Sequence, residues 1–343
     1  MQTRPAGLDE QIVHRALARG WGARDARLRY LPAGFGSYHW IAEAAGARYF
    51  LTVDDLSRKP WLGSAPDAAF AGLRAAFDTA LALHDGAGLE CVIAPVPALD
   101  GTTLHRLTGG YSLAVFPFAE GACGLWGEQI SRQDRGRLIR LLADLHLRTP
   151  TVAALARRHE PGLAERAVLE AALAELDLPW SGGPFSEPAR RELTAGADIV
   201  AAWLASFDRL AALVTERNAG LVVTHGEPHP GNVVRAGARF RLVDWDTVAL
   251  APPERDLWML DNGAPATLAA YSHATGRAVD PDAVLLYRLA WVLADVASFV
   301  GTLRSEHRAD EDTEKAWRAV RSLMRSGPGG GGEWEASYFA PWS

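Results

Sequence analysis

The chain has 343 residues, of which 48% are hydrophobic and 22% charged, with a formal net charge of −6. That size and balance suit a soluble protein of two lobes with separate cores and exclude disorder as the main theme, while the negative charge argues against a nucleic-acid partner. The start of the chain lacks an apolar core of signal-peptide length, and the cysteines, Cys91 and Cys123, lie far apart in sequence, so a cytoplasmic protein is expected.

Residues 9–17 read as a short capped helix with Ile12, Val13 and Ala16 on one side. Residues 27–31 alternate as a first strand, with Leu28 and Tyr30 sharing a face. A glycine turn follows in residues 32–40, with Gly34 and Gly36 spaced so that backbone amides can approach a phosphate, and Ser37 beside them as a hydroxyl donor. A plain hairpin turn is the competing reading of the same glycines. Residues 48–53 form the next expected strand, with Arg48, Phe50 and Thr52 on one face. Lys59 lies beyond it. It is one of two lysines in the chain, with Lys315, so it is the lysine that the N-terminal half can offer to a phosphate. A solvated surface charge is the plainer expectation for both Arg58 and Lys59.

Residues 64–83 read as a helix with Ala69, Phe70, Leu73, Phe77 and Leu81 on its apolar side; Asp78 is either an exposed acid or the partner of a cation. Residues 91–97 and 111–116 are expected to complete a small sheet. Proline and glycine then punctuate residues 116–121, the expected linker between lobes, where backbone groups around Phe118 are candidates for holding a nucleotide base. Beyond it the pattern is helical. Leu138, Leu141, Leu142 and Leu145 form a helical stripe ahead of His146, and Pro188 opens a long helix that runs to about residue 218. Residues 283–300 are the most apolar long stretch, but Arg288 and Asp295 interrupt them, so a buried helix is expected rather than a membrane span.

The densest chemical signal lies in residues 225–232, His-Gly-Glu-Pro-His-Pro-Gly-Asn, followed by Asp244 and Asp246. In phosphoryl transfer from a nucleotide, one carboxylate accepts the hydroxyl proton, an amide oxygen five residues on holds magnesium, and an aspartate past the next hairpin holds magnesium between the phosphates. Glu227, Asn232 and Asp244 stand at those three places. Residues 233–234 and 239–243 read as the two arms of a hairpin, which would bring Asn232 and Asp244 together for a cation that takes few protein oxygens. Asp246 is either a further magnesium ligand or an exposed acid. His225 and His229 are four apart, but Pro228 and Pro230 exclude a helical two-histidine zinc site, and His225 is expected to brace the loop.

These residues resemble the aminoglycoside phosphotransferase family, small-molecule kinases with a protein-kinase-like fold. The family pattern is His-Gly-Asp, four residues, Asn, then Ile-Asp-Trp or Ile-Asp-Phe. Two departures stand out. The family's base is usually aspartate where this chain has Glu227, and its nucleotide lysine usually occupies the third strand, at the place of Thr52. The resemblance implies an α+β, two-lobed fold, with a small N-terminal β-sheet lobe in residues 1–117 and a larger helical lobe in 118–343. It implies ATP, or GTP, with Mg2+ as cofactors, and Asp256 as a structural aspartate. It further implies phosphorylation of a hydroxyl on a small molecule, an aminoglycoside or nucleoside-like antibiotic, without nucleic acid or membrane as partner. A sugar or amino-alcohol kinase is the first alternative. A pseudokinase that only binds is the second, motivated by Thr52 and Glu227. The glycine-rich residues 327–332 precede Trp334, Tyr338, Phe339 and Trp342, whose aromatic character suggests a tail that docks back or meets another subunit; oligomeric state is left open.

Overall fold

Antiparallel pairing of five strands organises the N-terminal part of the computed structural model, which describes residues 3–5, 7–34, 36–125, 128–163, 165–217 and 220–326. The aromatic tail expected to dock back lies outside the described residues. Two compact units make up the described residues: those within 1–124, 141–159 and 222–251 form the first, and those within 125–140, 160–221 and 252–326 the second.

The first unit opens with α1 (Glu10–Gly20), whose start is set by Asp9, a cap that accepts from the Gln11 N–H at 2.9 Å. Strands β1 (Arg27–Leu31), β2 (Ser37–Ala44) and β3 (Ala47–Asp55) form a meander. Two short 3-10 turns, Leu56–Arg58 and Pro60–Leu62, lead into α2 (Pro66–Leu81), which ends in a π-helical turn at Ala82–Gly86. The two-residue strand β4 (His105–Arg106) and β5 (Tyr111–Pro117) complete the sheet in the order β1-β2-β3-β5-β4. One sheet face, with Tyr38, Trp40, Leu51, Val53 and Leu113, packs with Val13 and Leu17 of α1. The other face packs Phe50, Ala114 and Phe116 with Leu73 and Phe77 of α2 and with Leu56 and Leu62 of the two turns. Each fully buried leucine or phenylalanine contributes about 1.5–3 kcal/mol.

Residues 91–97 depart from the expected strand. Pro95 and Pro97 lack the N–H groups that a ladder uses, so in place of a strand the segment makes an isolated bridge from Val92 to Leu242 and scattered bonds, among them one from the Val96 N–H to the Val115 carbonyl. The first unit also holds β6 (Ala122–Cys123), the part of α3 (Arg132–Leu147) from Leu141 onward, and the short α4 (Thr149–Val152). Strand β7 (Val222–Thr224) pairs with β10 (Ala249–Ala251), and between them in sequence lies the hairpin of β8 (Val233–Ala236) and β9 (Arg239–Leu242). Gly237, at φ +61, opens the two-residue turn of that hairpin.

The second unit is helical: α5 (Arg166–Ala174), α6 (Ser186–Arg217), α7 (Glu254–Leu257), α8 (Pro265–Thr275), α9 (Pro281–Arg304) and α10 (Glu311–Ser326). Helix α9 is long and apolar enough to cross a membrane, with a mean hydropathy of 1.7, yet 61% of its apolar window is buried. Its neighbours explain the composition, since residues of α5, α6 and α10 share its core cluster. Asp256 is fully buried on α7 in this unit.

Candidate active site

The loop of residues 225–232 leaves β7 and enters β8, so its two ends are held by sheet pairing. His225 is fully buried and edge-on to Trp245. The backbone N–H of Glu227 points at its Nδ1 from 3.2 Å, which makes that nitrogen the acceptor. The proton therefore sits on Nε2, which donates to the Val243 carbonyl at 2.9 Å. Thr247 Oγ1 donates to the His225 carbonyl at 2.8 Å. The imidazole thus ties the loop to the chain after β9.

Glu227 is half-buried and carries its carboxylate toward His229, at 3.9 Å from Nε2. Burial, followed by the proximity of His225, pushes the His229 pKa well below its ordinary value, so the contact joins a neutral ring to the carboxylate and is no charged pair. Asn232 closes a 3-10 turn that Pro230 opens. Its Nδ2 donates to the Glu227 carbonyl at 3.0 Å and to His229 Nε2 at 3.2 Å. The amide oxygen takes no part in these bonds.

The hairpin brings its ends together as its register requires. Val233 stands opposite Leu242, and the Val243 N–H donates to the Asn232 carbonyl at 3.0 Å. Asp244 follows with φ +66, a left-handed conformation that few non-glycine residues adopt and that aspartate tolerates. Enclosure by protein, then the charges of Asp246 and Glu227, raise its carboxyl well above the usual range, with Lys59 acting in the opposite sense. The residue is nonetheless solvent-exposed, so a cation can reach it.

Lys59 is not the solvated charge expected from its sequence. It is 2% exposed, because Leu56 and Leu62 on either side anchor the two 3-10 turns in the core with α2. Gly72 on α2 permits that approach: a Cβ there would meet the Leu62 carbonyl oxygen at 2.4 Å. The Lys59 Nζ lies 2.6 Å from Asp246 Oδ2, 2.9 Å from Asp54 Oδ1 and 3.3 Å from Ser37 Oγ, and 5.4 Å from the centre of the Trp61 ring. Burial alone would depress the lysine; Asp246, Asp54 and Asp244 outweigh it and lift the ammonium above its ordinary pKa. Asp246 is buried as well, which decides against a freely solvated acid.

Thr52 contacts His39, with Oγ1 3.4 Å from Nδ1, and Asp78 accepts from Thr103 Oγ1 at 2.6 Å and pairs with Arg74 at 3.6 Å. Arg58 is exposed. Gly34 and Gly36 both take positive φ, +68 and +88, before β2 begins at Ser37. In the linker, the Phe118 N–H donates to the Arg48 carbonyl at 3.2 Å, the Arg48 guanidinium stacks over the Phe118 ring, and Arg48 pairs with Glu120. The structure thus brings Glu227, Asn232, Asp244, Asp246, Lys59 and Ser37 into the first unit. Sequence reasoning missed Asp54 and the part of His229 in holding Asn232. The signal for Asp54 was strand alternation, since Phe50, Thr52 and Asp54 share a face, so a carboxylate falls on the inner side of β3 five residues before Lys59.

The donor set fits magnesium. Asn232 leaves its oxygen outside the bonds its nitrogen makes, and burial followed by the nearby charges of Asp246 and Glu227 raises the Asp244 carboxyl, a concentration of acid that a cation would relieve. No group of three or more His, Cys, Asp or Glu side chains among the described residues could hold a metal by itself. Few protein ligands are what magnesium takes when phosphates and water supply the remainder.

Residues 27–287, more than half of the chain, match the family described as "Phosphotransferase enzyme family". Protein StrN of Streptomyces griseus is 25% identical over 263 residues, covering 73% of this chain and 76% of that protein. The fold is similar to that of spectinomycin phosphotransferase APH(9)-Ia in complex with ADP and spectinomycin, at TM-score 0.73 and 17% identity over 96% of this chain and 97% of the other. It is also similar to choline kinase LicA from Streptococcus pneumoniae, at TM-score 0.54 and 13% identity over 93% and 99% of the two chains.

Proposed function

The chain belongs to the phosphotransferase enzyme family and is a small-molecule kinase, and on that premise we propose that it moves the terminal phosphoryl group of ATP, with GTP as the alternative donor, to a hydroxyl of a small antibiotic. The observation that carries this reading is the 2.6 Å contact between Lys59 Nζ and Asp246 Oδ2, which sets the one lysine near the glycine turn against the acids of the expected metal loop.

In this reading residues 1–117 carry the nucleotide and 118–343 the acid-base and acceptor groups. Gly34, Gly36 and Ser37 lie along the phosphates, Lys59 neutralises them, and the linker at Phe118 faces the base. Asn232, Asp244 and Asp246 would hold magnesium, which offsets phosphate charge and aligns the terminal phosphoryl group. Glu227 orients the acceptor hydroxyl. As the hydroxyl oxygen bonds to the phosphorus, the bond to the bridging oxygen of the nucleotide breaks and the hydroxyl proton passes to the Glu227 carboxylate. The products are a phosphate ester and a nucleoside diphosphate. His229, kept neutral by burial, holds the Asn232 amide so that its oxygen is presented and not its nitrogen. Cys91 and Cys123 are free thiols, in keeping with a cytoplasmic site of action.

Likeness to spectinomycin phosphotransferase supports an antibiotic acceptor, and likeness to choline kinase supports an amino alcohol as the second reading. The deciding experiment measures magnesium-dependent ATP and GTP consumption against hydroxylated antibiotics, sugars and amino alcohols, with Asp244→Ala as control. Turnover that needs both an acceptor and Asp244 establishes the reaction and its substrate class. Equal turnover in the Asp244→Ala protein overturns the metal assignment, and a chain that binds neither nucleotide overturns the kinase reading.

A further inference from the structure

We propose that Asp54 is a positioning residue that sets Lys59 and Ser37 for the nucleotide phosphates, so that the lysine and its acid partner both come from one short stretch of chain, β3 and the turns after it. The inference rests on the reading of Lys59 as a phosphate ligand given above.

In protein kinases the phosphate lysine stands on the third strand and is held by an acid from the next helix, whose placement controls activity. Neither part stands there in this chain. Thr52 occupies the strand place and contacts His39, while the two acids of the following helix are engaged elsewhere, Asp78 by Thr103 and Arg74 and Asp67 by Arg106 at 2.8 Å. Asp54 is fully buried two residues after Thr52 on the same strand face, and opposite Ser37 in the ladder. Its Oδ1 accepts from Ser37 Oγ at 2.6 Å and pairs with Lys59 Nζ at 2.9 Å. One oxygen thereby couples the residue that ends the glycine turn to the lysine.

The ammonium has three donors and two carboxylates to share them. Asp246 lies on the metal loop, so its Lys59 contact is the one that yields when cation and triphosphate arrive. Asp54 has no such second role. Its other oxygen, Oδ2, is buried without a hydrogen-bond partner among the described residues, so the carboxylate stays committed to Ser37 and Lys59 through Oδ1. The pair spans five residues of sequence and is buried, and neither member comes from α2. Constitutive placement of the lysine is the consequence, in contrast to a helix-gated pair.

The test is calorimetric titration of the full chain with magnesium and ATP or GTP, whichever binds, and separately with the matching nucleoside. Asp54→Asn and Lys59→Met should each weaken the triphosphate by roughly 10-fold or more, the range for a lost charge-assisted contact, while nucleoside affinity stays within about twofold. The double variant should bind no worse than Lys59→Met alone, and Asp78→Asn should bind as the unaltered chain. Thermal melts check that each variant folds. If Asp54→Asn does not, Asp54→Glu replaces it, retaining the charge but shifting the carboxylate by one methylene, with the same loss expected. Unchanged triphosphate affinity in the folded Asp54 variant, additive losses in the double variant, or parallel loss of nucleoside binding overturns the proposal while leaving the kinase reading intact. An unaltered chain that binds neither nucleotide overturns both.

Discussion

The backbone N–H of Glu227 donates to Nδ1 of His225 at 3.2 Å, so the candidate base is held by a ring whose other nitrogen is anchored on the Val243 carbonyl. A bond of this kind controls where the carboxylate stands without touching it. The consequence is that loop geometry and base chemistry can be perturbed separately.

Replacing Glu227 with Gln keeps shape and removes the proton acceptor. Turnover should fall by roughly 10²–10⁴-fold, the usual share of a general base, with nucleotide affinity preserved. Steady-state kinetics beside a nucleotide titration reads both. Unchanged turnover would remove Glu227 from the base role.

His225→Ala should cost about 2–4 kcal/mol, because it strands the half-buried Val243 carbonyl and the Glu227 N–H and empties the space against Trp245. Urea unfolding measures the loss. A midpoint equal to that of the unaltered chain would mean that the ring braces nothing.

Gly72→Ala places a Cβ 2.4 Å from the Leu62 carbonyl oxygen, so α2 and the turn after Lys59 must separate. A cost of about 1–3 kcal/mol is expected, as for overpacking elsewhere. Because the shifted turn is the one that carries Lys59 inward, triphosphate affinity should fall with stability. Stability lost with affinity intact would show that the lysine is placed independently of this contact.

His39 supplies a pH test. Burial lowers its pKa from 6.5 to about 3. Below pH 6.5 the unfolded chain takes up a proton that the folded chain refuses until about pH 3, so the unfolded state binds more protons across that window and stability falls as pH is lowered through it. Between pH 7 and pH 4.5 this single group should account for about 2.5 kcal/mol. Comparing denaturant midpoints of the unaltered chain and His39→Gln at pH 7 and pH 4.5 isolates it. Identical pH responses would contradict a half-buried imidazole held neutral.

What could be read from the sequence were the features governed by short-range geometry. Strand alternation and turn residues placed β1, β3, β5 and the β8–β9 hairpin, and closing a hairpin forces its ends together, so the approach of Asn232 to the residue before Asp244 follows from spacing alone. Likewise Asp9 capped α1, and Arg288 and Asp295 marked α9 as an internal helix before its neighbours were known. Residues 91–97 misled because apolar character reports burial, whereas a ladder also needs N–H groups that Pro95 and Pro97 do not have. The fate of Lys59 belonged to tertiary structure. Its partner Asp246 is 187 residues away, and the side chain is buried only because Leu56, Leu62 and Gly72 let the turns close onto α2. A charge goes inside only where opposite charges await it, and no local pattern records where such partners will come from.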